Sequence, residues 1–276
     1  MSDITLIDDS EQSSLVTNGL VKNGELYLKK AGSTSAGAIV AYDNGVWRTF
    51  ANEAGGGFSN AYSVEFDGSN EYVDIGDLTA LNSASTFSMS MWWKTPSSSE
   101  KIMVGDSAPD ATGIGMYQWS TGVFYVHAGA SNVFSSGITV PGYNQWNFVL
   151  VTYNSSGSVK AYFNGNTTPA ASVSATALSS SAGDGFRIGK YEGYPSAYSE
   201  GLIDEVAIFS SELSSSDSET LWNSGVPADI SSLSPLGHWR MGDNDSGTGT
   251  TVTDQGSGSN DGTLINGPTF SSDVPS

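Results

Sequence analysis

One stretch narrows the choice of fold more than any other. From Phe87 to Lys94, apolar Phe87, Met89, Met91 and Trp93 alternate with Ser88, Ser90, Trp92 and Lys94. A period of two belongs to a strand with one face on a core and the other turned to solvent. Trp92 is the single large residue on the polar face. Further strand-like runs recur at Ser63 to Asp67, Gly115 to Trp119, Val123 to His127, Trp146 to Tyr153, Val159 to Phe163, Phe186 to Ile188 and Leu202 to Phe209. The breaks between them carry Asn154 to Gly157, Asn164-Gly165 and Gly183-Asp184-Gly185, residue types that tolerate tight turns. Many short strands punctuated in this way predict an all-β fold of two packed antiparallel sheets. One helix is expected at about 215 to 223: Ser214 can cap its free amides, Asp217 sits at the third position of a capping box, and Leu213, Leu221 and Trp222 can anchor it.

Composition agrees with this and removes several function classes. The 276 residues are 38% hydrophobic and 14% charged, with 33 glycines, so hydroxyls and amides must cover much of the surface. Ten basic residues against 29 acidic ones give a net charge of -19. No basic face can be assembled from so few cations, so direct nucleic-acid binding is not expected. The absence of cysteine removes disulfides, thiolate catalysis and cysteine-based metal centres, and two distant histidines, His127 and His238, make a histidine-rich metal site improbable. No segment reaches the length of an apolar membrane span. Met1-Ser2-Asp3 lacks the features of a secretion signal, which suggests an intracellular protein or one carried outside within a larger assembly.

Three regions are expected. Residues 1–57 hold an acidic, serine-rich lead and a small hairpin, Ala38 to Tyr42 and Val46 to Phe50 about Asp43-Asn44-Gly45, followed by the Gly55-Gly56-Gly57 hinge. This segment would serve anchoring or oligomerisation. Residues 58–225 form the main sandwich. Residues 226–276 are too poor in apolar residues to fold alone, and either complete the sandwich or dock on a neighbour.

Four motifs in order carry a family resemblance. The run from Phe66 to Val73, which contains Asp67-Gly68-Ser69-Asn70, resembles the opening strand of laminin-G-like jelly-roll domains. Phe87 to Trp92 resembles the strand that follows, and Trp146 to Tyr153 with Tyr162-Phe163-Asn164-Gly165 resembles the central hairpin. Gly201 to Phe209, followed by Leu213 and the helix, resembles the closing pattern. The resemblance implies a two-sheet antiparallel jelly-roll sandwich of the laminin-G-like, concanavalin A-like lectin and glucanase kind. In the tail, Trp239 to Asp243, Asp254 to Gly256 and Asn260 to Leu264 resemble the stretch that ordinarily precedes the opening motif, here placed after the closing helix. The N-terminal hairpin segment loosely resembles short β modules of phage tail fibres and other virion proteins.

The resemblance also suggests candidate sites. Sandwiches of this class often tie an early carboxylate to an aspartate on the closing strand through structural Ca²⁺, which makes Asp67 and Asp204 the metal candidates. The alternative is that Asp67 closes an Asx turn and Asp204 accepts backbone donors. Asp106, Asp110 and Asp184 are weaker candidates. Trp92, Trp119, Tyr191, Tyr194 and Tyr198 are candidates for glycan or interface contact, with packing as the alternative role. His127 is expected to be structural. Glu65, Asp67 and Glu71 invite comparison with glycosidase carboxylates, which stand about 5.5 Å apart in retaining enzymes. Glu71, however, follows the Gly68-Ser69-Asn70 turn and should leave the strand face, so no enzyme is expected.

The leading expectation is a virion structural protein, a capsid decoration, head-fibre or tail-fibre component, that displays a binding sandwich outward at the virion surface. Its partners would be other virion proteins, copies of itself (a trimer being one arrangement) and a cell-surface glycan, with no membrane insertion. The alternatives are a carbohydrate-binding lectin module of an extracellular or cell-surface protein, and a glycan hydrolase or lyase.

Overall fold

The computed structural model describes residues 58–97, 101–106, 113–118, 122–129, 131–133, 138–190 and 197–276, together with the backbones of four strands nearer the N-terminus. The chain divides into two compact units, Met1–Ser59 and Asn60–Ser276. In the first, β1 (Thr5–Ile7), β2 (Leu26–Lys29), β3 (Ala38–Asp43) and β4 (Val46–Asn52) form one sheet in that order. In the β3–β4 pair Asp43 lies opposite Val46, the register that the expected hairpin requires, while Asn44 and Gly45 lie outside the described residues. The strand β1, which pairs in parallel with β2, extends the expected hairpin into a sheet. The expected hinge at Gly55 to Gly57 lies outside the described residues.

The second unit is an all-β sandwich of two antiparallel sheets, as the strand periodicity predicts. Its strands are β5 (Ser63–Asp67), β6 (Tyr72–Gly76), β7 (Thr86–Lys94), β8 (Ile102–Gly105), β9 (Ile114–Gln118), β10 (Phe124–Ala128), β11 (Ser131–Val133), β12 (Asn147–Asn154), β13 (Ser158–Phe163), β14 (Ala171–Ser174), β15 (Phe186–Ile188) and β16 (Glu200–Phe209). Helix α1 (Ser215–Trp222) follows, then β17 (Gly237–Trp239), β18 (Thr251–Val252), β19 (Gly262–Ile265) and β20 (Thr269–Ser271). One sheet runs β14-β13-β12-β7-β16-β5-β20, with β17 also on β16; the other runs β11-β10-β9-β8-β15-β6-β19-β18.

The alternating residues meet between the sheets. Phe87, Met89, Met91 and Trp93 from β7 join Val149, Val151, Ile203 and Ile208, and pack against Val73, Ile75, Met116, Phe124, Phe186 and Ile188 of the facing sheet. Trp93 donates its indole N–H to Gln118 Oε1 at 3.1 Å, which satisfies both groups inside the core.

The tail belongs to this same unit. β17 pairs with β16, β19 with β6 and β20 with β5, and Trp239 is fully buried in the main core. The tail's aspartates organise its turns. Asp254 accepts backbone N–H donors from His238, Gly256 and Asn260 at 2.7 to 2.9 Å, and Trp239 Nε1 donates to the Asn260 carbonyl at 2.7 Å. A segment with few apolar residues is therefore held by one anchoring tryptophan, strand pairing and carboxylate-to-backbone bonds.

The β7 sheet is covered on its outer face as well. Trp92, Phe148, Leu150, Tyr162, Ala207 and Phe209 form a second apolar cluster with Leu213, Leu221 and Ile230. Helix α1 covers it, and the predicted capping box is present: Ser214 Oγ accepts from Asp217 N, and Asp217 accepts from Ser214 N. Trp92 was expected on an exposed face; it is only 2% exposed and stacks on Trp222 with ring centroids 4.8 Å apart. The alternation placed Trp92 correctly on the outer face, but the helix makes that part of the face interior.

Candidate functional site

Beyond the reach of α1, the same outer face is open. The bond register lays Glu65 of β5, Leu202 of β16 and Lys94 of β7 side by side, with Asp67 opposite Glu200 in the next row. Glu65, Asp67 and Glu200 are exposed, Glu65 on the outward face in the middle of β5 and Asp67 and Glu200 at the ends of β5 and β16.

Two glycines shape this end. Gly68 has φ +79, a left-handed conformation that glycine adopts without strain, and the Glu200 side chain packs against its bare α-carbon. At Gly201, φ +127, a Cβ would lie 2.4 Å from the Lys94 carbonyl. From the loop before β12, Asn144 leans over the end of β7: its backbone N–H donates to Thr95 O at 2.8 Å and its Nδ2 to Pro96 O at 3.1 Å.

Together these groups line a cavity of about 330 Å³, whose wall comprises Glu65, Phe66, Asp67, Lys94, Pro96, Asn144, Glu200, Gly201 and Leu202. The wall combines carboxylate acceptors, an amide and an ammonium with the apolar surfaces of Pro96 and Leu202. Sites for small polar ligands have this makeup: convergent polar groups fix orientation over an apolar base. Glu71 stands beside the cavity and its carboxylate accepts from Asp67 N at 2.8 Å, across the turn. Burial raises the Glu71 carboxyl above the ordinary range against the pull of that bond, and the charges of Asp67 and Glu65 raise it further.

The expected metal pair does not come together. Asp67 lies opposite Glu200, whereas Asp204 stands four residues further along β16, about 13 Å at the rise of a strand. Asp67 closes an Asx turn, its Oδ1 accepting from Ser69 N at 2.8 Å. Asp204 is fully buried and accepts from Asn60 Nδ2 at 2.9 Å and Glu205 N at 2.8 Å. The two carboxylates therefore do not fit a shared Ca²⁺, and each fills the turn or backbone-accepting role given as its alternative. Asp106 accepts from Ile114 N at 3.0 Å and Asp184 from Asn82 Nδ2 at 3.1 Å, while Asp110 lies outside the described residues. No cluster of three or more acidic, histidine or cysteine residues suited to a metal occurs among the described residues.

Asp204 instead belongs to a buried polar network at a β-bulge. Between Asp204 and Ala207, β16 advances three residues while β7 advances two, and Glu205 takes φ +45. The Glu205 carboxylate contacts His238 Nε2 at 2.6 Å and accepts from Arg240 Nε at 2.9 Å. Arg240 Nη2 donates to Asp243 at 3.0 Å, and Asp243 accepts from Ala61 N at 2.7 Å. Burial, then the neighbouring Glu205 and Asp243 charges, push the Asp204 carboxyl well above its ordinary range; burial also raises Asp243, against the pull of Ala61 N and Arg240. These groups tie the first residues of the sandwich to its closing strand and its tail.

Of the aromatic candidates, Trp92 is sealed beneath α1, and Trp119, Tyr191 and Tyr194 lie outside the described residues. Tyr198 is half-buried, with the Lys190 ammonium 5.7 Å from its ring centroid, and does not line the cavity. The sequence reading missed Lys94, Asn144 and Glu200 as site residues. Only Lys94 left a trace, as the charged end of the polar face on β7.

A family model for the concanavalin A-like lectin/glucanases superfamily, of the third laminin G type, matches residues 67–217. The chain belongs to this superfamily. Its match begins at Asp67 on the cavity wall and ends inside α1. No curated protein matches the chain. Among solved structures, a Bacteroides ovatus protein to which carbohydrate binding is provisionally ascribed superposes with TM-score 0.60 at 16% identity, covering 93% of this chain and 72% of that one. A heptameric pentraxin from Limulus polyphemus gives TM-score 0.46 at 16% identity, over 59% of this chain and 82% of that one. Domain 4 of an arabinanase from Geobacillus stearothermophilus, in complex with arabinotriose, gives 0.45 at 19% identity, over 74% and 90%. These likenesses concern the fold. No helix among the described residues is long and apolar enough to cross a membrane.

Proposed function

We propose that the sandwich is a lectin-type, carbohydrate-binding module that holds a saccharide in the open cavity on the β7 sheet without cleaving it. The observation that carries this reading is the cavity wall itself. Glu65, Asp67 and Glu200 offer acceptors for sugar hydroxyls, the Asn144 amide offers a donor, and Pro96 and Leu202 supply apolar surface. Membership of a lectin and glucanase superfamily and the fold shared with the Bacteroides ovatus protein support it.

A glycan array followed by calorimetric titration of the hits tests the proposal. The expected result is binding that falls at least tenfold on Asn144→Ala or Glu65→Gln, with no new reducing ends released from the bound glycan. Absence of any glycan hit, or hits indifferent to both substitutions, overturns it. Display on a virion surface is a finer setting for such a module, carried by the resemblance of the N-terminal segment, and would use many weak contacts in parallel. Native mass spectrometry of the full chain tests that setting: a symmetric oligomer is expected, and a monomer at high concentration contradicts it.

A further inference from the structure

Among the described residues, Lys94 is the one cation in the cavity wall, beside three carboxylates, Glu65, Asp67 and Glu200. Its ammonium is already engaged. After β20, the C-terminal segment brings Asp273 to the outer face, where Asp273 Oδ2 accepts from Lys94 Nζ at 2.6 Å. Two bonds that do not involve Lys94 hold Asp273 there: Trp146 Nε1 donates to Oδ1 at 2.9 Å, and Ser63 Oγ donates to the Asp273 carbonyl at 2.7 Å. Partial burial opposes ionisation of Asp273, but the bonds from Lys94 and Trp146 prevail and hold its carboxyl below the ordinary range. It is a fixed carboxylate, placed by the fold.

We propose that Asp273 is a specificity-determining residue, which by occupying Lys94 makes the cavity reject anionic saccharides and take neutral or amino sugars. This rests on the carbohydrate-binding reading above. A uronate, sialate or sulfated sugar would bring negative charge among three carboxylates while the ammonium of the cavity wall, Lys94, is paired with Asp273, and like charges placed together in a binding site oppose association. An ammonium on a four-carbon stem has the reach to swing towards the cavity once its partner is removed. The C-terminal segment thus sets the charge preference of a site that it does not line.

The test uses the full chain on an array of matched pairs: galacturonate oligomers beside their carboxyl-reduced forms, and sialylated glycans beside desialylated ones. Wild type is expected to bind the neutral member of a pair at least tenfold more tightly. Asp273→Asn keeps the shape and the Trp146 acceptor but loses the charge, so the acidic-to-neutral affinity ratio should rise at least tenfold. Adding Lys94→Gln should abolish that gain, which shows that it passes through Lys94. Lys94→Gln alone should leave acidic members weak, and this variant keeps the test sharp if Asp273→Asn loosens the C-terminal segment. Equal ratios in wild type and Asp273→Asn, or tighter binding of acidic members by wild type, overturn the inference and leave carbohydrate binding standing. Binding to no array member overturns both.

Discussion

Trp92 and Lys94 stand two residues apart on β7 and project from the same face of the same sheet, yet their surroundings are opposite. Trp92 is sealed against Phe148 and Trp222 beneath α1, while Lys94 borders the open cavity with Glu65, Asp67 and Glu200. What separates them is the reach of one short helix. Where α1 covers the sheet, the face became a second core; where it ends, outward-facing carboxylates and an overhanging asparagine remain available to a ligand. Placement on a sheet face thus says little about exposure until the covering element is known.

Substitutions at the two ends should therefore differ in kind. The largest effect is expected at the covered end. Trp92→Ala removes a buried ring stacked on Trp222 and should cost about 3–5 kcal/mol in urea denaturation. A loss below about 1 kcal/mol would mean that α1 does not seal this end. Next comes the network on the neighbouring closing strand, β16. Glu205→Ala leaves His238 and Arg240 without their buried acceptor and should cost roughly 3 kcal/mol, read in the same way.

A smaller, pH-dependent effect follows from Asp204. Burial raises its folded-state value above the unfolded one, so the folded state favours the protonated acid. The associated stability is present below about pH 4, near the unfolded value, and is lost as pH rises through the folded value. Asp204→Asn removes this titration, and its new amide donor can meet Asn60 Oδ1, which is buried with no hydrogen-bond partner. The variant should gain stability relative to wild type as pH rises from 4 to 8; a pH-independent difference would contradict the account. The smallest effect is at the open end. The Lys94–Asp273 pair is partly exposed, with side chains 26% and 43% accessible, so Asp273→Asn should change stability by less than about 1 kcal/mol while altering ligand preference.

The same contrast shows what the sequence could disclose. Alternation from Phe87 to Trp93, the paired runs Ala38 to Tyr42 and Val46 to Phe50, and the Ser214/Asp217 capping box are local patterns, and each appears in the structure where its pattern lies. The burial of Trp92 is different, because it depends on a helix more than a hundred residues away in the chain. The tail is a similar case: Trp239, β19 and β20 find their places by pairing with β16, β6 and β5, and nothing local to the tail names those partners. The cavity was the least legible part. Glu65 and Asp67 stand out in the sequence as acids, but Lys94 and Glu200 join them only through the register of β5, β16 and β7, and Asn144 only through the bonds that hold the loop before β12 to Thr95 and Pro96. The bulge at Glu205 also left no pattern, since a glutamate in left-handed geometry is held by His238 and Arg240 of the distant tail.

The central claim is that a saccharide occupies the open end of this face and leaves the covered end untouched. Amide and indole NMR of the full chain, titrated with the strongest hit from the glycan array, tests it most directly. The Asn144 side-chain amide and the backbone amides of Asp67, Glu200 and Gly201 should shift and saturate together, while the Trp92 and Trp222 indole signals stay in place. Saturating shifts at the two indoles with none at Asn144 and Glu200 would contradict the account.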